Sequence, residues 1–285
     1  METFLDLDKF GKEDRVSKED MATYYKLTDI PFQKYHSKYG FMHFHVSKSG
    51  KFSPEDAFYQ PDTVSQFIKP SSKVLELGFG KCPNIFYLAK KHPNATFVGV
   101  DLGTLHPKNT LPNVELFHQD YRDLSNFADN SFDVVYGIET ICCCPDKEPV
   151  CREVQRVLKP GGQFVVYDYS TPDQFFSYDP TIQRGIALFT RAGTGALIES
   201  EEDWEQHFAK NGFKKYSITD LSKELLPDLK RLENLSMRVM SSKTKAKVMF
   251  ATLPDLLMGN VIIGYIGYDC FNEGFITYRE WIYTK

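Results

Sequence analysis

Between residues 73 and 169, short apolar runs alternate with amphipathic ones. Val74-Leu75-Glu76-Leu77, Thr96 to Val100, Val114 to Phe117, Phe132 to Tyr136 and Gln163 to Tyr167 have the length and β-branched or aromatic content of buried strands. Asn84 to Lys91 places Ile85, Leu88 and Ala89 on one helical face. Lys147 to Leu158 does the same with Val150, Val154, Val157 and Leu158, and Lys159-Pro160-Gly161-Gly162 stops it. This alternation predicts an α/β fold, a mostly parallel sheet with helices on both faces.

Two segments flank that core. Residues 1–70 form a helical, aromatic-rich cap, and residues 71–220 hold the sheet with a helix over Glu201 to Lys210 and a strand near Phe213 to Ile218. Charged helical sequence then runs to about Lys247, followed by an apolar stretch, so that 221–273 is expected to be a lid or insertion. Residues 274–285 have strand character and are expected to add a seventh strand, antiparallel at the edge of the sheet.

Composition narrows the function classes. Of 285 residues, 42% are hydrophobic and 25% charged, as in ordinary globular proteins. A net charge of -4 disfavours a nucleic-acid partner, whose phosphates reward clustered Lys and Arg. Met1 to Asp8 shows no basic-then-apolar signal pattern, and the apolar stretch from Leu256 to Tyr268 falls short of the roughly 20 residues a spanning helix needs. A cytoplasmic protein is expected, with peripheral membrane contact and homo-oligomerisation left open. Six cysteines, three of them consecutive at Cys142 to Cys144, suit neither a disulfide framework nor paired zinc ligation, and no metal is expected. Aromatic residues are in surplus, with Phe 23, Tyr 16 and Trp 2.

The candidate chemistry lies in the loops after the strands. Gly78-Phe79-Gly80 follows the first strand and opens a helix, an arrangement that lets a ligand approach backbone N–H groups. The run continues Lys81-Cys82-Pro83, without the third glycine of a dinucleotide fingerprint, which weakens NAD or FAD. Asp101 ends the second strand, where a carboxylate can accept both hydroxyls of a ribose. Asp120, in Gln119-Asp120-Tyr121 after the third strand, is placed to accept from an adenine amino group.

Glu76-x-Gly78-x-Gly80, Asp101, Asp120 and Arg156-Val157-Leu158-Lys159-Pro160-Gly161-Gly162, in that order, resemble the class I S-adenosylmethionine-dependent methyltransferases. Gly137-Ile138-Glu139-Thr140-Ile141-Cys142-Cys143-Cys144-Pro145-Asp146-Lys147 is similar to the sterol 24-C-methyltransferase stretch Ile-Glu-Ala-Thr-Cys-His-Ala-Pro-Asp-Lys. Tyr24-Tyr25-Lys26-Leu27-Thr28-Asp29 and Tyr39-Gly40-Phe41-Met42-His43-Phe44-His45 resemble that family's N-terminal segment. Phe79 stands where the family commonly has Cys, and Cys143 where it has His.

The resemblance implies a Rossmann-like seven-stranded sheet and S-adenosylmethionine as cofactor, with S-adenosylhomocysteine as product. Cofactor contacts are expected from Tyr25, Glu76, Gly78, Phe79 and Gly80, from Asp101 and Leu102, from Gln119, Asp120 and Tyr121, and from Glu139. If the acceptor is an alkene, as in the sterol enzymes, attack on the methyl group leaves a carbocation that aromatic faces stabilise and a base deprotonates. Glu139, Tyr24, Tyr39, His43 and His45 are the candidates for that chemistry, with Tyr35, Phe41, Phe44 and Phe58 as further walls. A small hydrophobic acceptor, sterol, isoprenoid or lipid-like, is favoured. An amine acceptor asks for nearly the same residues, and a binding protein that keeps the fold without catalysis is a third reading. Asp168, near the end of the fifth strand, either faces the substrate or caps Ser170 or Thr171.

Overall fold

The computed structural model describes residues 27, 32–103, 111–144, 146–194 and 198–285. The five runs read as strands are strands: β1 (Lys73–Leu77), β2 (Thr96–Asp101), β3 (Val114–His118), β4 (Phe132–Ile138) and β5 (Leu158–Ser170). With β6 (Lys214–Asp220) and β7 (Thr277–Thr284) they build one seven-stranded sheet in the order β3-β2-β1-β4-β5-β7-β6. Pairing is parallel from β3 to β5, and β7 runs antiparallel to both β5 and β6.

The C-terminal strand is therefore not at the edge. β7 lies inside the sheet and β6 closes it, which corrects the expectation drawn from the sequence. The reason is hydropathy. Tyr278, Trp281, Ile282 and Tyr283 are all buried and need cover on both faces, whereas β6 opens with Lys214 and Lys215, charges that protect an exposed edge from pairing with another chain.

Helices cover both faces. They are α1 (Tyr59–Ser65), α2 (Pro83–Lys91), α3 (Glu148–Val157), α4 (Pro180–Thr194), α5 (Glu201–Lys210), α6 (Ser222–Met240), α7 (Lys243–Thr252) and α8 (Asp255–Asn272). Successive strand residues point to opposite faces. Val74, Val134, Val165 and Ile282 accordingly share a core with Val64 of α1 and Ile85 and Leu88 of α2. Leu75, Val135, Phe164 and Trp281 pack on the other side with Val150 and Val154 of α3 and Trp204 and Phe208 of α5. Trp204 stacks on Trp281 with centroids 4.8 Å apart, and truncating either ring to Ala would cost about 3–5 kcal/mol.

The segment between β6 and β7 is α6, α7 and α8. Helix α4 joins them, an element the hydropathy pattern did not reveal. The apolar run near Val261 to Ile266 lies within α8, where Ile262 is buried among Met240, Phe250 and Met258. Among the described residues, no helix is long and apolar enough to cross a membrane. The same helical group meets the first face of the sheet through Leu225 and Leu229 of α6 and Ile186 and Phe189 of α4.

Candidate functional site

The sheet order reverses between β1 and β4, and in doubly wound sheets ligands bind outside the carboxyl ends of the strands at such a point. Two loops meet there, Gly78 to Cys82 after β1 and Glu139 to Cys144 after β4. Gly78 has φ +67, and a Cβ on it would lie 1.9 Å from Thr140 Oγ1, so only glycine lets the loops come this close. The Tyr121 hydroxyl donates to the Thr140 carbonyl at 3.0 Å and brings the loop after β3 to the same place.

Asp101 holds the glycine loop in shape. One carboxylate oxygen accepts from Gly80 N–H at 2.8 Å and the other from Gly103 N–H at 2.5 Å. Phe79 turns the other way, buried under the loop, where its ring abuts Gly99 of β2. It thus offers a ligand its backbone alone. Glu76 lies below, on β1. Burial pushes its carboxyl up to about 8 against the pull of its polar neighbours Tyr136 and Asn84, and its Oε2 has no hydrogen-bond partner among the described residues.

Glu139 is the centre of the second loop. Its φ of +49 is a left-handed conformation that costs a non-glycine residue about 1 kcal/mol or more and that clusters at functional sites. Its N–H is tied to the Tyr167 carbonyl at 2.7 Å. The side chain is enclosed: Phe44 N–H donates to Oε1 at 2.9 Å, the Tyr169 hydroxyl donates to Oε2, and the Tyr278 hydroxyl stands against it. Rings pack around the Tyr169 that holds this carboxyl, centred 6.1 Å away for Phe44, 6.1 Å for Phe189, 6.3 Å for Phe271 and 5.6 Å for Tyr278. Burial pushes the Glu139 carboxyl up to about 8, beyond what these donors offset.

The Phe44 donor is delivered by a strap, residues 43–47, that crosses the site. His43 faces the Phe44 carbonyl at 3.0 Å and Asn84 Oδ1 at 3.2 Å. On the other side, the backbone N–H and Nδ1 of His45 both meet Asp228 Oδ2 of α6, at 3.0 and 2.8 Å. Arg231 caps Asp228 Oδ1 and donates to the carbonyls of Tyr35 and His36. Gln60 of α1 completes the frame, donating to the Phe44 carbonyl at 2.8 Å and to the Tyr278 hydroxyl at 3.2 Å.

The structure brings together Gly78, Gly80, Asp101, Tyr121 and Glu139 from the sequence-derived set. Leu102 follows directly after β2. Gln119 and Asp120 sit on the rim. The Gln119 amide donates to the Asp123 carbonyl at 2.6 Å, and Arg122 grips both Asp120 oxygens, at 3.0 Å from Nε and 2.6 Å from the terminal nitrogen. Tyr39 points elsewhere. It is 41% exposed and donates to Glu55 at 2.9 Å. Tyr35 is also a surface residue, at 50%. Tyr24 and Tyr25 lie outside the described residues. Asp168 does not cap Ser170 or Thr171, because β5 continues past it to Ser170. Its buried carboxylate accepts from Cys142 N–H at 2.8 Å and Tyr169 N–H at 3.1 Å, and burial pushes it up to about 6.

Sequence reasoning missed Tyr278, Gln60, Asn84 and Asp228. Tyr278 was traceable in principle, as an inward aromatic on a strand already recognised. The other three carry no local signal.

A family model described as a methyltransferase domain matches residues 75–166. Sterol methyltransferase-like 3 of Botryococcus braunii is 31% identical over 182 residues, 59% of this chain and 45% of that protein. The 24-methylenesterol C-methyltransferase 2 of Arabidopsis thaliana is 32% identical over 171 residues, 54% of this chain and 45% of that protein. The matches thus span less than half the length of these relatives. In three dimensions, the cyclopropane synthase MmaA2 from Mycobacterium tuberculosis superposes with a TM-score of 0.75 at 14% identity, over 95% of this chain and 99% of that one. The geranyl diphosphate C-methyltransferase from Streptomyces coelicolor A3(2) gives 0.66 at 14% identity, over 94% and 97%.

Proposed function

We propose that this chain, which carries a methyltransferase domain over residues 75–166, transfers a methyl group from S-adenosylmethionine to a small, largely apolar acceptor, with carbon methylation favoured. The observation that carries the reading is Glu139, a buried carboxyl bonded by two tyrosine hydroxyls and the Phe44 N–H at the switch point of the sheet.

The residues suit a cationic cofactor. Glu76, Asp101, Glu139 and Asp168 put four carboxyls around the crevice, Glu76 Oε2 is unpartnered, and Gly78 leaves a cradle that a Cβ would fill. S-adenosylmethionine supplies an electrophilic methyl group on a sulfonium. Gly78, Gly80 and Glu76 would hold its methionine end, Asp101 and Leu102 its ribose, and Tyr121 and Gln119 its adenine. At Asp120, an adenine amino group would compete with Arg122 for the carboxylate.

Methyl transfer needs alignment more than a strong acid or base. The strap, α1 and β7 provide it, because Phe44, Gln60 and Tyr278 bond to one another and hold Glu139. In the ligand-free chain Glu139 carries its proton near neutral pH. A cation beside it favours the carboxylate, which Tyr169 and Phe44 N–H are already placed to bond. Glu139 would then offset positive charge at the acceptor and take the proton that an alkylated alkene must lose. The hydroxyls of Tyr169 and Tyr278 stand against that same carboxylate.

The test is methyl-labelled S-adenosylmethionine supplied with sterol, isoprenoid, fatty-acid and amine pools, the product being identified by mass. Label in a sterol or isoprenoid supports the proposal. Label only in amines eliminates carbon methylation.

A further inference from the structure

A second pocket lies on the far side of β5 from the crevice, where α1 stops short of the β7–β6 edge. It has a volume of about 380 Å³ and is lined by Tyr59, Thr63 and Phe67 on one wall and Tyr216 and Glu280 on the other. The Phe67 and Tyr216 rings meet edge to face with centroids 5.7 Å apart. Tyr216 is 63% exposed, so its ring stands at the mouth.

Glu280 is the notable residue. It is only 6% exposed, and its oxygens accept from two hydroxyls, Thr219 at 3.1 Å and Tyr167. Among the described residues no cationic side chain pairs with it. Buried carboxylates are normally matched by a positive charge, because solvent no longer screens them. The rings beside it bind cations through their faces. Tyr59 already does so, with the Lys48 ammonium 5.1 Å from its centroid, although that ammonium is held by Glu224 at 3.2 Å.

We infer that this pocket binds a small organic ammonium ion, with Glu280 as counter-charge and Tyr59, Phe67 and Tyr216 as walls. None of these residues belongs to the cofactor or acceptor set, so the pocket is a separate site.

The full chain is titrated at low salt with choline and with 3,3-dimethylbutan-1-ol, the uncharged isostere in which carbon replaces nitrogen, and binding is followed by NMR shifts of aromatic protons. Choline is expected to bind at least about tenfold more tightly than the isostere, through Coulomb attraction to Glu280 and the ring faces. Glu280→Gln is expected to lose about tenfold of the choline affinity, because it removes the counter-charge. Tyr216→Ala, at the surface and free of core packing, is expected to lose about threefold. Equal binding of the two probes would overturn the inference. So would choline binding unchanged in both variants, or no choline binding up to about 100 mM.

Discussion

Burial of Glu139 and Glu76 has a measurable cost that depends on pH. Both carboxyls are pushed up to about 8, while in an unfolded chain they titrate near about 4.3. Above that pH the unfolded chain releases protons that the folded chain keeps. Each group thus contributes stability that is complete below about pH 4 and is lost as pH rises through about 8. His36 and His43 act in the other direction. Burial holds both imidazoles down to about 4, so they remove stability as pH falls from about 6.5, where an unfolded histidine gains its proton. Between about pH 4.5 and 6.5 the two pairs largely offset each other. Above 6.5 only the carboxyls remain, and the ligand-free protein should weaken steadily towards pH 8. One carboxyl titrating from 4.3 to 8 contributes a loss of about 1.5 kcal/mol over that interval. Glu139→Gln has nothing to ionise there. Urea midpoints at pH 6.5, 7.25 and 8 should show the variant gaining about 1.5 kcal/mol on the wild type. A gap that stays constant would refute the claim that Glu139 is a protonated carboxyl in the folded chain.

The same group makes cofactor binding a proton-releasing event. At pH 7 a carboxyl at about 8 is roughly nine-tenths protonated, so S-adenosylmethionine should expel close to one proton and S-adenosylhomocysteine, which lacks the sulfonium, fewer. Calorimetry in phosphate and Tris reads the difference, and equal release by the two ligands would place the sulfonium away from Glu139. Asp101→Ala frees the N–H groups of Gly80 and Gly103 and should weaken cofactor binding by about 1.5–3 kcal/mol; an unchanged dissociation constant would remove Asp101 from the site. Gly78→Ala should abolish cofactor binding through its clash with the Thr140 side chain, Cβ included, and adding Thr140→Gly should restore part of it, leaving the strain of a positive φ. No recovery in the double variant would mean that the two loops do not meet as described. Asp228→Ala removes the buried carboxylate that pairs with Arg231 and leaves the buried His45 N–H without its acceptor, and should cost about 3–5 kcal/mol in a urea melt; a loss below about 1 kcal/mol would show that the strap is held by other contacts.

The parallel core was legible because its signals are local. Each strand is a contiguous apolar run, each loop begins with a residue whose type is demanded by position, and Glu76, Gly78, Asp101 and Glu139 lie within a few residues of strand ends. The order of the last two strands was also written in the chain, in the polar face of Lys214 to Asp220 against the apolar Tyr278 to Tyr283, but reading it requires comparing two segments rather than either alone. The frame around Glu139 is a different case. Its carboxyl is held by Tyr278, 139 residues later, and by the N–H of Phe44, 95 residues earlier. A main-chain donor leaves no mark in a sequence, since every residue but proline has one. What puts that N–H in place is the pairing of His45 with Asp228 across 183 residues, and neither residue belongs to the glycine-loop or strand-end pattern. Glu139 was thus identifiable as a candidate from its own neighbourhood, while its protonation state, on which its proposed chemistry depends, is set by contacts that only the folded chain assembles.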